Sequence, residues 1–173
     1  MKRATVRESE SVKNPFILLV EDNEDDAFLI ERAFQRANIL NELRLVKNGQ
    51  EAIAYLSGTG LYTNRTDNPL PRLILLDLKM PGIDGFEVLQ WIRRQSGLAP
   101  MRVVVLTSST DVRDVNLAIQ LGADGFMIKP ADFLRLVEFS EALAGYWVWQ
   151  QEGSGSVAAF PPRTMGLHSQ VAE

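Results

Sequence analysis

Cysteine is absent from the 173 residues, which removes disulfides, thiol nucleophiles and cysteine–zinc sites at once. Histidine occurs once, as His168 in a stretch bearing Gly, Ser and Pro, and that argues against a Ser-His-Asp triad or a multi-histidine metal site. Basic charge is not in excess. The 18 basic and 22 acidic residues give a net charge of −4, the opposite of a nucleic-acid footprint. No apolar run approaches the roughly 20 residues that a membrane span needs. The first residues, MKRATVRESESVKNP, mix both charge signs without an apolar stretch, so they do not read as a secretory signal, and the default reading is a cytoplasmic protein. Carboxylates, hydroxyls, lysines and a hard metal ion remain available for chemistry.

What is present is a regular alternation. Residues 16–20 (FILLV), 73–76 (LILL) and 103–106 (VVVL) are short, wholly apolar and rich in branched side chains, the pattern of strands buried on both faces. Residues 43–46 and 125–128 read as two further strands. Between them, apolar residues recur at helical spacing: Ala27, Ile30, Phe34 and Ala37; Ala52, Ile53 and Leu56; Phe86, Leu89 and Ile92 within 84–95; Val112, Val115 and Ile119 within 111–121. A long last helix is expected over 133–149. Strict strand–helix alternation with apolar strands predicts an α/β fold, a five-stranded parallel sheet covered on both faces. Right-handed crossovers favour the doubly wound, flavodoxin-like order 2-1-3-4-5. Residues 15–150 are expected to form this one domain, with a polar arm over 1–14 and a Gly/Ser/Pro-bearing tail over 151–173. Residues 58–71 make a connection longer than such a fold requires, either a partner-binding loop or a tolerated insertion.

Three motif-like strings carry no weight. Gly58-Thr59-Gly60 follows a helix and lacks a third glycine; Asn64-Arg65-Thr66 is a sequon without an export signal; and no GxxxxGK[ST] occurs.

The informative pattern is what ends each strand. Glu21-Asp22 follows the first, Asp77 the third, Thr107 the fourth and Lys129 the fifth. In a sheet of this order all of them reach the carboxyl edge, where ligands bind at the switch point. Three carboxylates together either raise a pKa steeply or hold a cation, and oxygen-only ligands favour Mg²⁺. Lys129 adds a positive charge and Thr107 a hydroxyl donor, a set suited to phosphoryl transfer, with the central Asp77 able to act as nucleophile. Each residue also has an ordinary reading: a charged helix front, a loop aspartate before Pro81, a solvated lysine, N-caps in Ser109 or Thr110. The ordinary readings do not explain the coincidence of four complementary strand ends.

The strings LLVEDN (18–23), LILLDLKMPGIDG (73–85), VVVLTSS (103–109) and GADGFMIKP (122–130), in this order and spacing, closely resemble the receiver domain of two-component response regulators. That resemblance implies Asp77 as the acceptor of a phosphoryl group from a histidine kinase or a histidine phosphotransfer protein. It implies a Mg²⁺ ion held by Asp22, Asp77 and the backbone carbonyl of Lys79, with Glu21 acting mainly through water. Thr107 and Lys129 would contact phosphoryl oxygens. Thr107 and Phe126 would be the switch pair, and having Phe at 126 leaves ring burial but no phenol to hydrogen-bond outward. A cis Lys129-Pro130 bond is expected by the same analogy. Lys79 and Ser109 hold positions that tune phosphoryl loss in the family.

The stretch after Gln150 is too short for a helix-turn-helix unit, so the expected output is protein contact or phosphoryl relay, not DNA binding. The long 58–71 loop and Tyr146-Trp147-Val148-Trp149 resemble regulators paired with bacterial phytochrome kinases. The apolar richness of the last helix suggests a partner face or a homodimer through the fourth helix, fifth strand and last helix. The expected role is that of a switch, not of an enzyme beyond self-catalysed phosphorylation and dephosphorylation. Two alternatives stand beside it: a receiver-fold scaffold without phosphorylation, and an aspartyl-phosphate phosphohydrolase. The latter needs a second Asp two residues after the nucleophile, where this chain has Lys79.

Overall fold

A computed structural model describes residues 16–151, with the side chains of 145–151 left out. The expected arm lies outside this range, as do the tail beyond Gln151 and the side chains of Tyr146–Trp149. Five strands, β1 (Ile17–Val20), β2 (Leu43–Val46), β3 (Leu73–Leu76), β4 (Arg102–Thr107) and β5 (Gly125–Ile128), form one all-parallel sheet in the order β2-β1-β3-β4-β5. Helices α1 (Glu24–Arg36), α2 (Gly49–Ser57), α3 (Gly85–Arg94), α4 (Val112–Gln120) and α5 (Phe133–Gln151) connect and cover it. This is the doubly wound α/β fold that the apolar strands predict.

Side chains alternate across the central strands, so each strand feeds two cores. Leu18, Val20, Ile74, Leu76 and Val103 pack against α2 and α3, whereas Ile17, Leu19, Leu73, Leu75, Val104 and Leu106 pack against α1 and α5. Full burial of such a side chain contributes about 1.5–3 kcal/mol, and β1 and β3 are buried at every position. Helix starts are set by side-chain caps on orphan N–H groups. Asn23 caps α1 and Asn48 caps α2, while Asp84 and Glu87 form a capping box on α3. Asp111 caps α4, in place of the Ser109 or Thr110 expected.

Two further expectations are corrected. The Val112, Val115 and Ile119 face of α4 does not point into the core. Val112 is 68% and Ile119 37% exposed, and Ala118 is the one buried residue of the helix. Only the small cluster of Leu78, Val105 and Ala118, with Phe86, Ala123 and Phe126 against it, lies beneath, so the helix sits close on its smallest side chain and leaves the larger ones outside. The Lys129–Pro130 bond is trans, as are all peptide bonds among the described residues; the two isomers of an X-Pro bond differ by only about 0.5–1 kcal/mol, so neither is imposed by local chemistry.

The 58–71 connection is folded onto α2. Gly58 takes the left-handed φ of 70° that closes the helix. Arg65 then donates to the carbonyls of Tyr55 (2.7 Å) and Leu56 (2.6 Å), and Tyr62 donates its hydroxyl to Glu51 (2.6 Å).

At the opposite side of the sheet, Asp124 ties the β4 entrance together. Its carboxylate accepts from Arg93 (2.9 Å), from Arg102 (2.8 Å) and from the Val103 N–H (2.8 Å). Asp124→Ala therefore leaves the Val103 N–H without its acceptor and takes the counter-charge from Arg93, whose guanidinium keeps only the carbonyls of Ala99, Met101 and Gly122. The expected cost is about 1–3 kcal/mol, read as a lower urea midpoint. Arg113→Ala, which removes an exposed pair with Asp111, is expected to leave the midpoint in place; equal effects of the two would contradict this account.

Candidate functional site

Strand register assembles the site. Val20 pairs with Leu76 and Thr107 with Ile128, so Glu21 and Asp77 leave the sheet side by side, and Lys129 follows one residue past the level of Thr107. Backbone bonds carry the ladder one step further, from Asp77 N–H to the Val20 carbonyl (3.0 Å) and from Lys129 N–H to the Thr107 carbonyl (2.7 Å). Gly85, the first residue of α3, lies against this turn. A Cβ there would stand 2.1 Å from the Asp77 carbonyl oxygen, so only glycine lets α3 start directly behind the Asp77 loop.

Lys129 is the centre. Its Nζ lies 2.6 Å from Glu21 Oε2, 2.9 Å from Asp26 Oδ2 and 3.0 Å from Asp77 Oδ2. Burial alone would lower the ammonium pKa. The carboxylates of Glu21, Asp26 and Asp77 around it nevertheless hold it above the ordinary value. Glu21 is 1% exposed, and that burial pushes its carboxyl up to about 7 against the opposing pull of Lys129. Its Oε1 accepts from the Asn23 N–H (3.2 Å), so the residue that caps α1 also orients Glu21. Its Oε2, despite the nearby ammonium, has no hydrogen bond of acceptable geometry.

Glu21, Asp22 and Asp77 each offer a carboxylate oxygen within 4.8 Å of the others. Three hard oxygens, one of them buried without a hydrogen bond, suit a small divalent cation. Asp77 Oδ1 accepts from the Lys79 N–H (3.2 Å). Thr107 is fully buried, and its Oγ1 accepts from the Ser109 N–H (3.2 Å), which leaves its own proton to donate. Phe126 rests its ring, half-buried, on the Leu78, Val105 and Ala118 cluster.

The structure thus brings Glu21, Asp22, Asp77, Thr107 and Lys129 to one edge. The Lys79 ammonium points elsewhere, to Asp114 at 2.8 Å. Sequence reasoning missed Asp26. It stands in the acidic run already noted as a helix front, in the first turn of α1 with Glu24 and Asp25, and nothing in the sequence singles it out from those two.

The model of the response regulator receiver domain matches residues 17–141. The chain belongs to that family. The probable methanogenesis regulatory protein FilR2 of Methanothrix harundinacea is 38% identical over 83% of this chain and 90% of its own. Response regulator Rcp1 of Synechocystis is 35% identical over 76% of this chain and 88% of its own. Its Mn²⁺-bound crystal structure superposes with a TM-score of 0.70, at 32% identity, covering 84% of this chain and 98% of that one. The phosphorylated cyanobacterial phytochrome response regulator RcpA gives 0.73 at 34% identity, covering 80% and 96%. Receiver domains are phosphoacceptors, and this chain is a response regulator of that kind. No helix among the described residues is long and apolar enough to cross a membrane.

Removing the central ammonium leaves a buried cluster of like charges. Lys129→Met is expected to lower the melting temperature in chelator, by about 3 kcal/mol of stability or more. It should also make the protein regain more stability on adding Mg²⁺ than the parent does. A variant as stable as the parent and indifferent to Mg²⁺ would contradict the role given to Lys129.

Proposed function

We propose that Asp77 is the phosphoacceptor of this response regulator and that the four other strand-end residues serve it. A nucleophilic Asp77 oxygen attacks the phosphorus of a phosphohistidine, the P–N bond breaks, and the imidazole leaves with the electron pair. Glu21, Asp22, Asp77 and the Lys79 backbone carbonyl would hold Mg²⁺. The ion supplies charge neutralisation for the incoming phosphoryl oxygens when bound. Lys129, already on Asp77, exchanges a carboxylate partner for a phosphoryl oxygen without leaving the pocket. Thr107 donates its hydroxyl to another, and Phe126 packs into the space that the Thr107 movement opens. The observation that carries this reading is the 3.0 Å contact of Lys129 with Asp77 beside the Glu21–Asp22 pair.

The donor is a histidine kinase or a histidine phosphotransfer protein. The likeness to RcpA, a phytochrome response regulator, supports a kinase of the phytochrome type. Phosphoryl loss is self-catalysed hydrolysis at the same site. The output is protein contact: Val112 and Ile119, one side of α4, with Ile128 on β5 and Leu134 on α5, are exposed apolar residues that a second copy or a target covers. Phosphorylation biases the equilibrium between two arrangements of that face.

Incubation with acetyl phosphate and Mg²⁺ is expected to add one phosphoryl mass to the intact protein. Asp77→Asn and a metal-free sample should show none. Absence of the adduct in the parent, with a beryllofluoride complex also failing to form, would support the scaffold reading instead.

A further inference from the structure

The loops that follow β3 and β4 are tied to each other by one carboxylate that the phosphoryl chemistry described above does not use. Asp114, in the first turn of α4, accepts the Ser109 hydroxyl at 2.5 Å on Oδ2, and the same oxygen pairs with Lys79 Nζ at 2.8 Å. Asp114 is well covered although Lys79 is half exposed, so the lysine reaches in over Phe86, its Nζ 5.5 Å from the ring centre, to meet it. Both partners are wired to the reacting groups through their own backbones. The Lys79 N–H donates to Asp77 Oδ1 at 3.2 Å, and the Ser109 N–H donates to Thr107 Oγ1 at 3.2 Å. Ser109 Oγ further accepts from the Asp111 N–H at 3.3 Å, which fixes the hydroxyl towards Asp114. The result is a continuous path from Asp77 through Lys79, Asp114 and Ser109 to Thr107, with Asp114 as its one member on a helix.

We propose that Asp114 is a positioning residue that holds Lys79 and Ser109 as a bridge across the mouth of the site and so sets the lifetime of the phosphoryl group. The inference rests on Asp77 being the acceptor. Asp77 and Thr107 are both buried, so water that hydrolyses the acyl phosphate has to come past the two loops whose N–H groups, on Lys79 and Ser109, bond to them. In that step a water oxygen bonds to phosphorus, the bond from phosphorus to the Asp77 oxygen breaks, and inorganic phosphate leaves with the aspartate restored. In-line attack needs the water opposite the departing Asp77 oxygen. Two side chains pinned to one carboxylate exclude it better than two that move independently. Lys79 has four rotatable stem bonds and no other ion pair among the described residues, so its position is lost first when Asp114 is removed.

The test measures the decay of labelled protein, made with acetyl phosphate and Mg²⁺ and then freed of donor. Four full-length forms are compared: parent, Asp114→Asn, Lys79→Met and the double variant. Melting temperature is recorded for each. Asp114→Asn keeps shape and one acceptor but loses the charge. It is expected to decay several-fold faster than the parent at an unchanged melting temperature, and Asp114→Glu should recover part of the lifetime. Lys79→Met should also decay faster, with Asp114→Asn adding little in its background, since both break the same bridge. Decay of Asp114→Asn at the parent rate would overturn the inference while leaving the acceptor reading intact. So would a full, independent acceleration by Asp114→Asn in the Lys79→Met background. A parent that takes no label would overturn the acceptor reading, and this inference with it.

Discussion

A single buried ammonium holds the chemistry of this molecule together. Parallel strands end with their chain direction aligned, and here the sequence puts acid after β1 and β3 and base after β5. Three carboxylates at the edge of an apolar sheet repel one another and are poorly solvated. Lys129 compensates by touching Glu21, Asp26 and Asp77 at once. Those contacts fasten the end of the edge strand β5 to the first turn of α1. The stability of the sheet's carboxyl edge and the readiness of the site therefore have one physical origin. Any cation or phosphoryl group that enters acts by renegotiating the partners of this lysine.

The rest of the fold serves to keep those four strand ends in place. Because β1 and β3 are apolar on both faces, their ends fix the register: a slip of one residue would draw Glu21 or Asp77 into the apolar sheet. Asn23 couples two jobs, capping α1 and orienting Glu21. Gly85 lets the start of α3 press on the Asp77 carbonyl. Against this rigid frame, α4 is held loosely, with Ala118 as its single buried residue. Its link to the site runs through polar atoms, Asp114 to Lys79 and Ser109. A helix with little core and a charged tether to the reacting groups is the element most easily moved by a change of charge there.

What was legible in the sequence follows from the same physics. A strand buried on both faces is an uninterrupted apolar run, and its abrupt end at Glu21, Asp77 or Lys129 marks both the strand boundary and the site residue. The sheet order follows from alternation and handedness. Helix α4 was less legible because an amphipathic pattern says which residues share a face but not whether anything covers it. Val112 and Ile119 share theirs, and it is exposed. Asp26 and Asp114 were hidden for a related reason. Each is one acid among several near a helix start, and only the packing of that helix against residues at the strand ends selects the one that bonds. The trans Lys129–Pro130 bond went against analogy because the two isomers lie so close in energy that tertiary context, absent from a sequence, decides between them.

The central claim is that this cluster is a phosphoryl site built around Asp77. Reduction of the phosphorylated protein with borohydride, which converts an acyl phosphate to an alcohol, followed by peptide mapping, tests it most directly. The account predicts conversion at Asp77 alone, with Asp22 and Asp26 unmodified. Conversion at either of those instead, or none in a protein that takes up phosphate at another residue, would contradict it.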